Sequence, residues 1–400
     1  MDTTRVLGSP PKPGVVSVER IKDPAAFEAL REEWDALLEA SPSQCLFLTW
    51  EWLYTWWKHL GGDRSLCIIT ARSGDELVAI APFALRQWRV GPLSFRALGF
   101  LGAGSVGSDY LDVIVRRGRE REAVRALAEY LARERFVLEL TRVKRSSYAV
   151  DLAAELAGQG WSLSETTTDL CPFINLSGHS WESYLATLGS EHRYNFHRRF
   201  RNATKQFGLR FTQAGSASQR RDALAVLVAL HHQRWRERGG SDGLHTPALL
   251  AFHEDVSQRA LDRGWLRLFV LSLQGEPAAS VYGFRYRQGF AFYQAGFDPR
   301  FGKHSVGLIA MGLAIKSAIE EGADEYDLLH GNEPYKSHWA KEARELVRLE
   351  LYPPGAGEWL YRRARGMGRT AKRMVRRALP NRVGDRIAAI RRVGVWGRLG

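Results

Sequence analysis

The chain has 400 residues, 57 Lys or Arg, 44 Asp or Glu and a net charge of +13. A chain of this length is too long for one ordinary hydrophobic core and is typical of two domains. The charge is concentrated between Tyr361 and Gly400, which hold 13 Lys or Arg and a single acid, Asp385. Because the rest of the chain is nearly neutral, nucleic acid is not the expected partner.

Secreted, membrane-spanning and zinc-stabilised proteins are also disfavoured. No N-terminal segment joins a charged start to an apolar run, and no stretch approaches the roughly 20 apolar residues of a membrane span. Cys45, Cys67 and Cys171 each stand alone among apolar residues. This spacing fits neither a disulfide framework nor a zinc site. We therefore expect a cytoplasmic protein with reduced thiols and without a metal ion.

The N-terminal half predicts a mixed order of strands and helices after a loose leader at residues 1–14. Helical periodicity covers Ala26–Leu38, and Thr49 is a suitable N-cap for a helix over Trp50–Leu60. Alternating apolar stretches bounded by turns predict the strands. The predicted strands are residues 15–18, 66–71, 76–86, 110–115, 136–140 and 161–165, with further helices at 120–133 and 150–158.

The C-terminal half repeats this order. Its predicted helices are residues 181–188, 191–207, 220–238, 247–263 and 306–321, with a helical turn at 335–340. Its predicted strands are residues 209–212, 266–272, 277–287, 289–296, 325–329 and 346–352. Each half has a strand–turn–strand unit followed by a helix and a strand, which suggests a duplicated α/β domain with a mixed sheet.

A basic, glycine-containing loop, Asp298–Gly307, joins an apolar strand to the helix that starts at Val306. Such a loop can hold a pyrophosphate, because free N–H groups and the positive end of the helix dipole face the anion. Lys303 and His304 add positive charge. The alternative is a simple polar connection.

The following segment, Asp327–Lys336, contains the run Gly-Asn-Glu-Pro-Tyr-Lys. With the Ser305-Val306-Gly307 helix entry, the Arg-rich stretch Ser190–Arg199 and the Trp-rich stretch Trp50–Trp57, it resembles the tandem GNAT-like acyltransferases of the CelD type. These are relatives of the FemABX aminoacyltransferases. The resemblance extends from about Val15 to Tyr352.

The resemblance implies two GNAT-like acyl-CoA N-acyltransferase domains, at residues 15–178 and 179–355, followed by a basic helical tail at 356–400. The second domain would bind acyl-CoA as a co-substrate, with no permanently bound cofactor. Its donor residues would be Gln294, Ala295 and Gly296 along the pantetheine arm, and Lys303, His304, Ser305 and Gly307 at the pyrophosphate. An acyl-carrier protein or an aminoacyl donor remains an alternative.

Acyl transfer to an amine requires a base, a polarised carbonyl and an acid for the leaving thiolate. The candidate bases are Glu333, His330 and Asp327, all at the end of one predicted strand. Tyr335 is the candidate acid, and Lys336 is suited to an anionic group. The alternatives are a turn cap at Asp327 and an ordinary Glu333–Lys336 ion pair.

The acceptor side is predicted from three patterns. Trp52 and Trp56 belong to an aromatic helix that is either core or a platform for a sugar ring. Asp109 and Tyr110 follow a glycine-rich loop expected near the acceptor cleft. Arg193 and Asn195 lie on a basic helix that is either solvated or binds an anionic acceptor. The family resemblance favours an amino sugar or polysaccharide precursor.

The tail, residues 361–400, reads as basic amphipathic helices that suit an anionic membrane surface or an acidic carrier protein. The protein is then cytoplasmic and peripheral at the inner membrane face. Two other functions stay open: a FemABX-like transferase that uses aminoacyl-tRNA, and a catalytically degenerate scaffold in envelope polysaccharide assembly.

Overall fold

The computed structural model describes residues 16–90, 93–236, 244–331 and 333–355. The leader, Asn332 of the Gly-Asn-Glu-Pro-Tyr-Lys run and the basic tail of residues 361–400 lie outside the described residues. In the described ranges, no helix is both long and apolar enough to cross a lipid bilayer.

Strands of both halves join one mixed sheet. They are β1 (Val16–Ile21), β2 (Ser65–Ser73), β3 (Glu76–Val90), β4 (Leu93–Phe100), β5 (Ile114–Val115), β6 (Val137–Lys144), β7 (Ser162–Asn175), β8 (Arg210–Gln213), β9 (Leu266–Leu273), β10 (Glu276–Tyr286), β11 (Gly289–Phe297), β12 (Glu325–Asp327) and β13 (Glu342–Tyr352).

The α-helices cover both faces of this sheet. They are α1 (Pro24–Ala29), α2 (Arg31–Ala40), α3 (Trp50–Leu60), α4 (Glu120–Glu134), α5 (Tyr148–Gly158), α6 (Trp181–Thr187), α7 (Ser190–Phe207), α8 (Ala217–Arg236), α9 (Pro247–Asp262) and α10 (Val306–Glu320). Short 3₁₀ turns lie at Leu46–Leu48, Pro299–His304 and Lys336–His338.

The strand order is β1-β2-β3-β4-β6-β13-β7-β12-β11-β10-β9-β8, with β5 paired to β3. The last strand, β13, is therefore inserted between two strands of the N-terminal half and pairs antiparallel with both. Strand β7 in turn pairs with β12. The two halves thus share one hydrogen-bonded ladder, and the domain bounds at residues 15–178 and 179–355 stay a prediction.

Two buried apolar clusters lie on opposite faces of the C-terminal strands. The first unites the N-terminal core with α8 and α9, and the second packs under α7 and α10. Gly312 of α10 permits this second packing, because a Cβ there would overlap the ring of Phe196 on α7. Both clusters exclude water along the β10–β12 strands.

The predicted mixed α/β class is confirmed, two local predictions need correction and one strand was missed. The helix predicted over Ala26–Leu38 is divided at Leu30 into α1 and α2. The strand predicted over residues 110–115 is reduced to β5, because Tyr110 has a φ of +56° and a left-handed residue cannot continue a strand. Strand β4 was not predicted.

Candidate active site

The candidate site begins where two parallel strands separate. Strand β11 pairs with β12 only over Gly289–Ala291 and Glu325–Asp327, although β11 continues along β10 to Phe297. After β12 the chain stays beside β7, since the Leu328 N–H donates to the Pro172 carbonyl at 2.9 Å. The later part of β11 therefore borders a gap, where its backbone can meet a ligand.

A pocket of about 340 Å³ opens on the α10 side of this gap. This α10 pocket is lined by β10, β11, the loop before α10 and the segment after β12, including Ala295, Gly296, Ser305, Gly307 and Tyr335. Ser305 is the N-cap residue of α10 and makes no side-chain cap hydrogen bond. The first N–H groups of the helix are therefore available to an anion such as a pyrophosphate.

The other three predicted donor residues do not line this pocket. The Gln294 side chain accepts a hydrogen bond from the Ala295 N–H at 3.0 Å. The His304 ring packs edge-on against Phe207 at 4.7 Å. The Lys303 carbonyl accepts from Arg199 of α7 at 2.8 Å, which ties the loop to that helix. The structure thus brings four of the seven predicted donor residues to the pocket wall.

Gly296 has a packing role that the sequence does not reveal. A Cβ at this position would lie 2.7 Å from the His231 backbone nitrogen and 3.0 Å from Leu230 of α8. Real Cβ atoms do not approach backbone this closely, so only glycine fits between β11 and α8. The glycine therefore sets the position of the pocket wall through helix packing.

A His–Asp pair lies where β12 ends. Both the backbone N–H and Nδ1 of His330 lie 2.9 Å from Oδ2 of Asp109, which is fully buried. A carboxylate only accepts, so His330 Nδ1 carries the proton and Nε2 keeps a lone pair in the neutral ring. The His330 side chain is 29% exposed. This arrangement is that of an oriented general base.

Three residues beside this pair have backbone conformations that are unusual for non-glycine residues. Tyr110, Arg142 and Leu329 have φ angles of +56°, +62° and +55°. Arg142 also places its guanidinium 3.5 Å from Oδ1 of Asp109, and its carbonyl accepts from the Leu111 N–H. Left-handed conformations cost free energy and concentrate at functional sites.

Asp327 and Tyr110 form a second buried pair beside the first. The Tyr110 hydroxyl donates to Oδ2 of Asp327 at 2.6 Å, and the Leu329 N–H donates to Oδ1 at 2.7 Å. Arg344 lies 3.6 Å away. Burial raises the pKa of Asp327 to about 7, against the opposing effects of these hydrogen bonds. Asp327 is thus both a turn cap and a carboxyl that titrates near neutrality.

The Gly331–Lys336 segment forms a clamp under His330. The Lys336 ammonium donates to the carbonyls of His330 at 2.8 Å and Leu329 at 3.2 Å, and it lies 3.0 Å from the Glu333 carboxylate. Lys336 is 4% exposed. A Cβ at Gly331, where φ is +132°, would overlap Glu333 and crowd the ammonium. The clamp therefore fixes the backbone that carries His330.

Tyr335 lies apart from the clamp, in the wall of the α10 pocket beside His338 and Trp339. His192 of α7 stacks on the His338 ring at 5.3 Å and contacts Trp339 edge-on at 4.5 Å. Burial and the nearby His338 lower the pKa of His192. His192, His338 and Trp339 were not predicted as site residues, because only the fold joins α7 to this segment.

Four residues predicted on the acceptor side lie elsewhere. Trp52 and Trp56 are 1% and 2% exposed, and the Trp52 indole N–H donates to Ser108 at 2.8 Å. Their rings belong to the core and leave no face for a sugar. Arg193 and Asn195 lie on α7, and neither lines the α10 pocket or the second cavity described below. Asp109 and Tyr110 are at the centre, as described.

A second cavity, of about 580 Å³, lies beside β12. This β12 cavity is bordered by the 42–48 loop, the β10–β11 turn and the ends of β6 and β12, and Tyr110, Asp327 and Leu329 line it. In the described part of the chain, no group of three or more His, Cys, Asp or Glu side chains could hold a metal ion.

Comparison with known proteins agrees with this geometry. Residues 190–337 match the family model described as an acetyltransferase (GNAT) domain, a range that includes His330 and all residues lining the α10 pocket except His338 and Trp339. The chain therefore carries a GNAT acyltransferase domain. No protein with a curated description matches the sequence.

Two solved structures have a similar fold over most of this chain. The crystal structure of FemX has 12% identity and a TM-score of 0.57, covering 79% of this chain and 95% of FemX. The C-terminal domain of a putative lysylphosphatidylglycerol synthetase from Agrobacterium fabrum has 12% identity and a TM-score of 0.52, with 85% and 95% covered. The chain thus has the FemX-related form of the GNAT fold, which confirms the predicted resemblance.

Proposed function

We propose that this chain is an N-acyltransferase that takes an acyl group from CoA and transfers it to the amine of a small molecule. The observation that carries the proposal is the His330–Asp109 pair, in which His330 lies three residues beyond the point where β11 and β12 separate. A donor site and an oriented base are both required for acyl transfer to an amine. An amino sugar or polysaccharide precursor remains the favoured acceptor.

The donor would lie in the α10 pocket. Its pyrophosphate would meet the N–H groups at the start of α10, and the pantetheine arm would follow β11 beside Ala295 and Gly296. The backbone of β11 along the gap would polarise the thioester carbonyl by hydrogen bonding.

The chemistry follows from the His330–Asp109 pair. The neutral acceptor amine attacks the thioester carbon, and His330 Nε2 takes the one proton that the nitrogen loses as the new carbon–nitrogen bond forms. The carbon–sulfur bond breaks, and the thiolate leaves with its electron pair and is protonated by Tyr335 in the pocket wall. Asp109 stabilises the imidazolium that forms, because its carboxylate faces Nδ1–H.

A thermal-shift measurement tests the donor. Acetyl-CoA and longer acyl-CoA molecules should raise the melting temperature, because a ligand that binds only the folded state stabilises it. A matched mass-spectrometric assay should detect acylated amine and free CoA. The absence of any shift with any acyl-CoA would sink this assignment and leave a scaffold function.

A second candidate, aminoacyl transfer from a charged tRNA, is favoured by one observation. Helix α7, which contacts the donor loop through Arg199 and Lys303, exposes further cations, Arg198, Arg201 and Lys205. Such a face suits a phosphate backbone. Salt-dependent tRNA binding that is weakened by Arg198→Gln with Arg201→Gln, with no effect of acyl-CoA, would favour this alternative.

A further inference from the structure

The β12 cavity and the α10 pocket meet at one point of the sheet. Ala291 lines the β12 cavity and the next residue, Phe292, lines the α10 pocket. Ala291 and Leu329 of the β12 cavity belong to the first apolar cluster, whereas Phe292 and Met311 of the α10 pocket belong to the second. Because these clusters cover opposite faces of the C-terminal strands, the two cavities lie mainly on opposite faces of the sheet. Pairing between β11 and β12 ends at Ala291 and Asp327. The strand gap therefore begins where the two cavities adjoin.

The inner end of the β12 cavity lies beside the base. Tyr110 and Leu329 line this cavity, and they directly follow Asp109 and precede His330, respectively. Asp327, 7% exposed, provides a carboxyl between them. A carboxyl and a phenol at this depth suit an amine, which needs acceptors for its N–H groups.

The rim of the cavity has the opposite charge. Lys144, at the end of β6, and Arg287, at the β10–β11 turn, line it and are exposed. Within the described ranges neither has a carboxylate partner, whereas Arg344 in the same wall is paired with Glu325. Asp324 is an exposed carboxylate at this rim, so Lys144 and Arg287 leave the rim with one net positive charge. The carboxyls of Asp112 and Asp327 are buried deeper in the cavity. Lysine and arginine together bind phosphate or carboxylate groups.

We propose that the β12 cavity binds the acceptor, and that the acceptor is an amine that also carries a phosphate or carboxylate group. The amine lies at Asp327 and Tyr110, next to the strand gap, and the anionic group lies between Lys144 and Arg287. This inference rests on the proposed acyl transfer, because it names the molecule that would meet the donor across the gap.

Direct binding without any acyl donor tests the site independently of catalysis. The probes are glucosamine 6-phosphate, muramic acid, glucosamine and glucose 6-phosphate, each titrated calorimetrically at low salt. The first two carry an amine with a phosphate or a carboxylate and should bind at least about tenfold more tightly than the other two, which have one group each. The ratio of the affinities for the first two probes shows whether the site prefers a phosphate or a carboxylate group.

The decisive variant is Lys144→Gln with Arg287→Gln, and its control is Lys22→Gln with Arg221→Gln, which removes the same charges from exposed positions elsewhere. The preference for the anionic amines should disappear in the rim variant and persist in the control. A preference unchanged by the rim variant, or no binding of any probe at millimolar concentration, overturns the inference. If only the acyl-CoA thermal shift fails, the proposed donor is wrong and the acceptor site is unaffected.

Discussion

The two cavities on either side of the strand gap differ in how they are built. Most of the α10 pocket is formed by one continuous stretch, β10 to α10, with His192 of α7 and the 335–339 segment as its far wall. The β12 cavity is assembled from both halves of the chain. A site made of consecutive elements can be kept throughout a fold family, and this suits a donor that the family has in common. A site assembled from distant loops can change its ligand from one protein to another, and this suits an acceptor that is particular to each protein.

The largest expected effect comes from the pair between the cavities. Asp109→Asn should lower kcat at least about 100-fold, because an amide cannot stabilise the imidazolium and permits the wrong tautomer. His330→Gln should do the same without changing acyl-CoA binding. Steady-state kinetics measure both. His245→Gln, at an exposed histidine outside the site, should retain full activity, and equal activity of all three variants would contradict the assignment.

The next effect concerns Asp327 in the wall of the β12 cavity and is a change in how the free energy of unfolding depends on pH. Burial raises the pKa of Asp327 to about 7 in the folded protein from an ordinary value of 3.8. The carboxyl contributes fully to stability below its pKa in the unfolded chain. This contribution is lost as the pH rises through its pKa in the folded protein, and the free energy of unfolding falls by up to about 1.4 kcal/mol per pH unit. Asp327→Asn should remove this decline.

Urea unfolding of the wild type and Asp327→Asn between pH 4 and 8 measures that difference. The stability of the wild type should fall relative to that of Asp327→Asn as pH rises towards about 7, and the difference should be constant above that, because the wild type alone carries the ionising group. Asp222→Asn, an exposed position, should give a curve parallel to the wild type. A curve for Asp327→Asn that is also parallel to the wild type would show that Asp327 does not titrate in this range.

The third effect concerns the wall of the α10 pocket. Gly296→Ala should destabilise the protein by about 1–3 kcal/mol, because the added Cβ forces β11 away from α8. Gly302→Ala is the matched control, since a Cβ there meets nothing within 4 Å. Denaturant midpoints compare the two, and equal midpoints would mean that α8 can move without cost.

The smallest effect concerns donor binding alone. Gly307→Glu places a carboxylate at the second position of α10, where its Cβ makes only an ordinary contact with Phe297 at 3.6 Å. Because the carboxylate would repel a pyrophosphate, the Kd for acyl-CoA should rise about tenfold. Ala248→Glu makes the same change at the second position of α9 and should leave the Kd unchanged. Calorimetry decides between these outcomes.

Local features of the fold were predictable from the sequence. Thr49 is the N-cap of α3, with the Trp52 N–H 3.3 Å from its hydroxyl. The strand, loop and helix from Gly289 to Glu320 are consecutive elements with strong periodicity. Four of the predicted donor residues line the α10 pocket for this reason, since neighbours in sequence are also neighbours in space.

Contacts between distant residues were not predictable from pattern alone. Asp109 and His330 are 221 positions apart, and each was named as a candidate for a different role. The pairing of β13 with β6 and β7 has no local signature. The aromatic helix α3 shows the other limit, because the same tryptophan spacing predicts a core and a binding platform equally well, and only burial distinguishes them.

The insertion of β13 between β6 and β7 has a consequence for biosynthesis. Until Glu342–Tyr352 leave the ribosome, two long strands of the N-terminal half have no neighbours on their facing edges. Unpaired strand edges attract other chains, and chains emerge N-terminus first. The first half therefore completes its fold only after nearly the whole described chain has been made. An N-terminal fragment expressed alone should aggregate, and adding the β13 peptide in trans should rescue it.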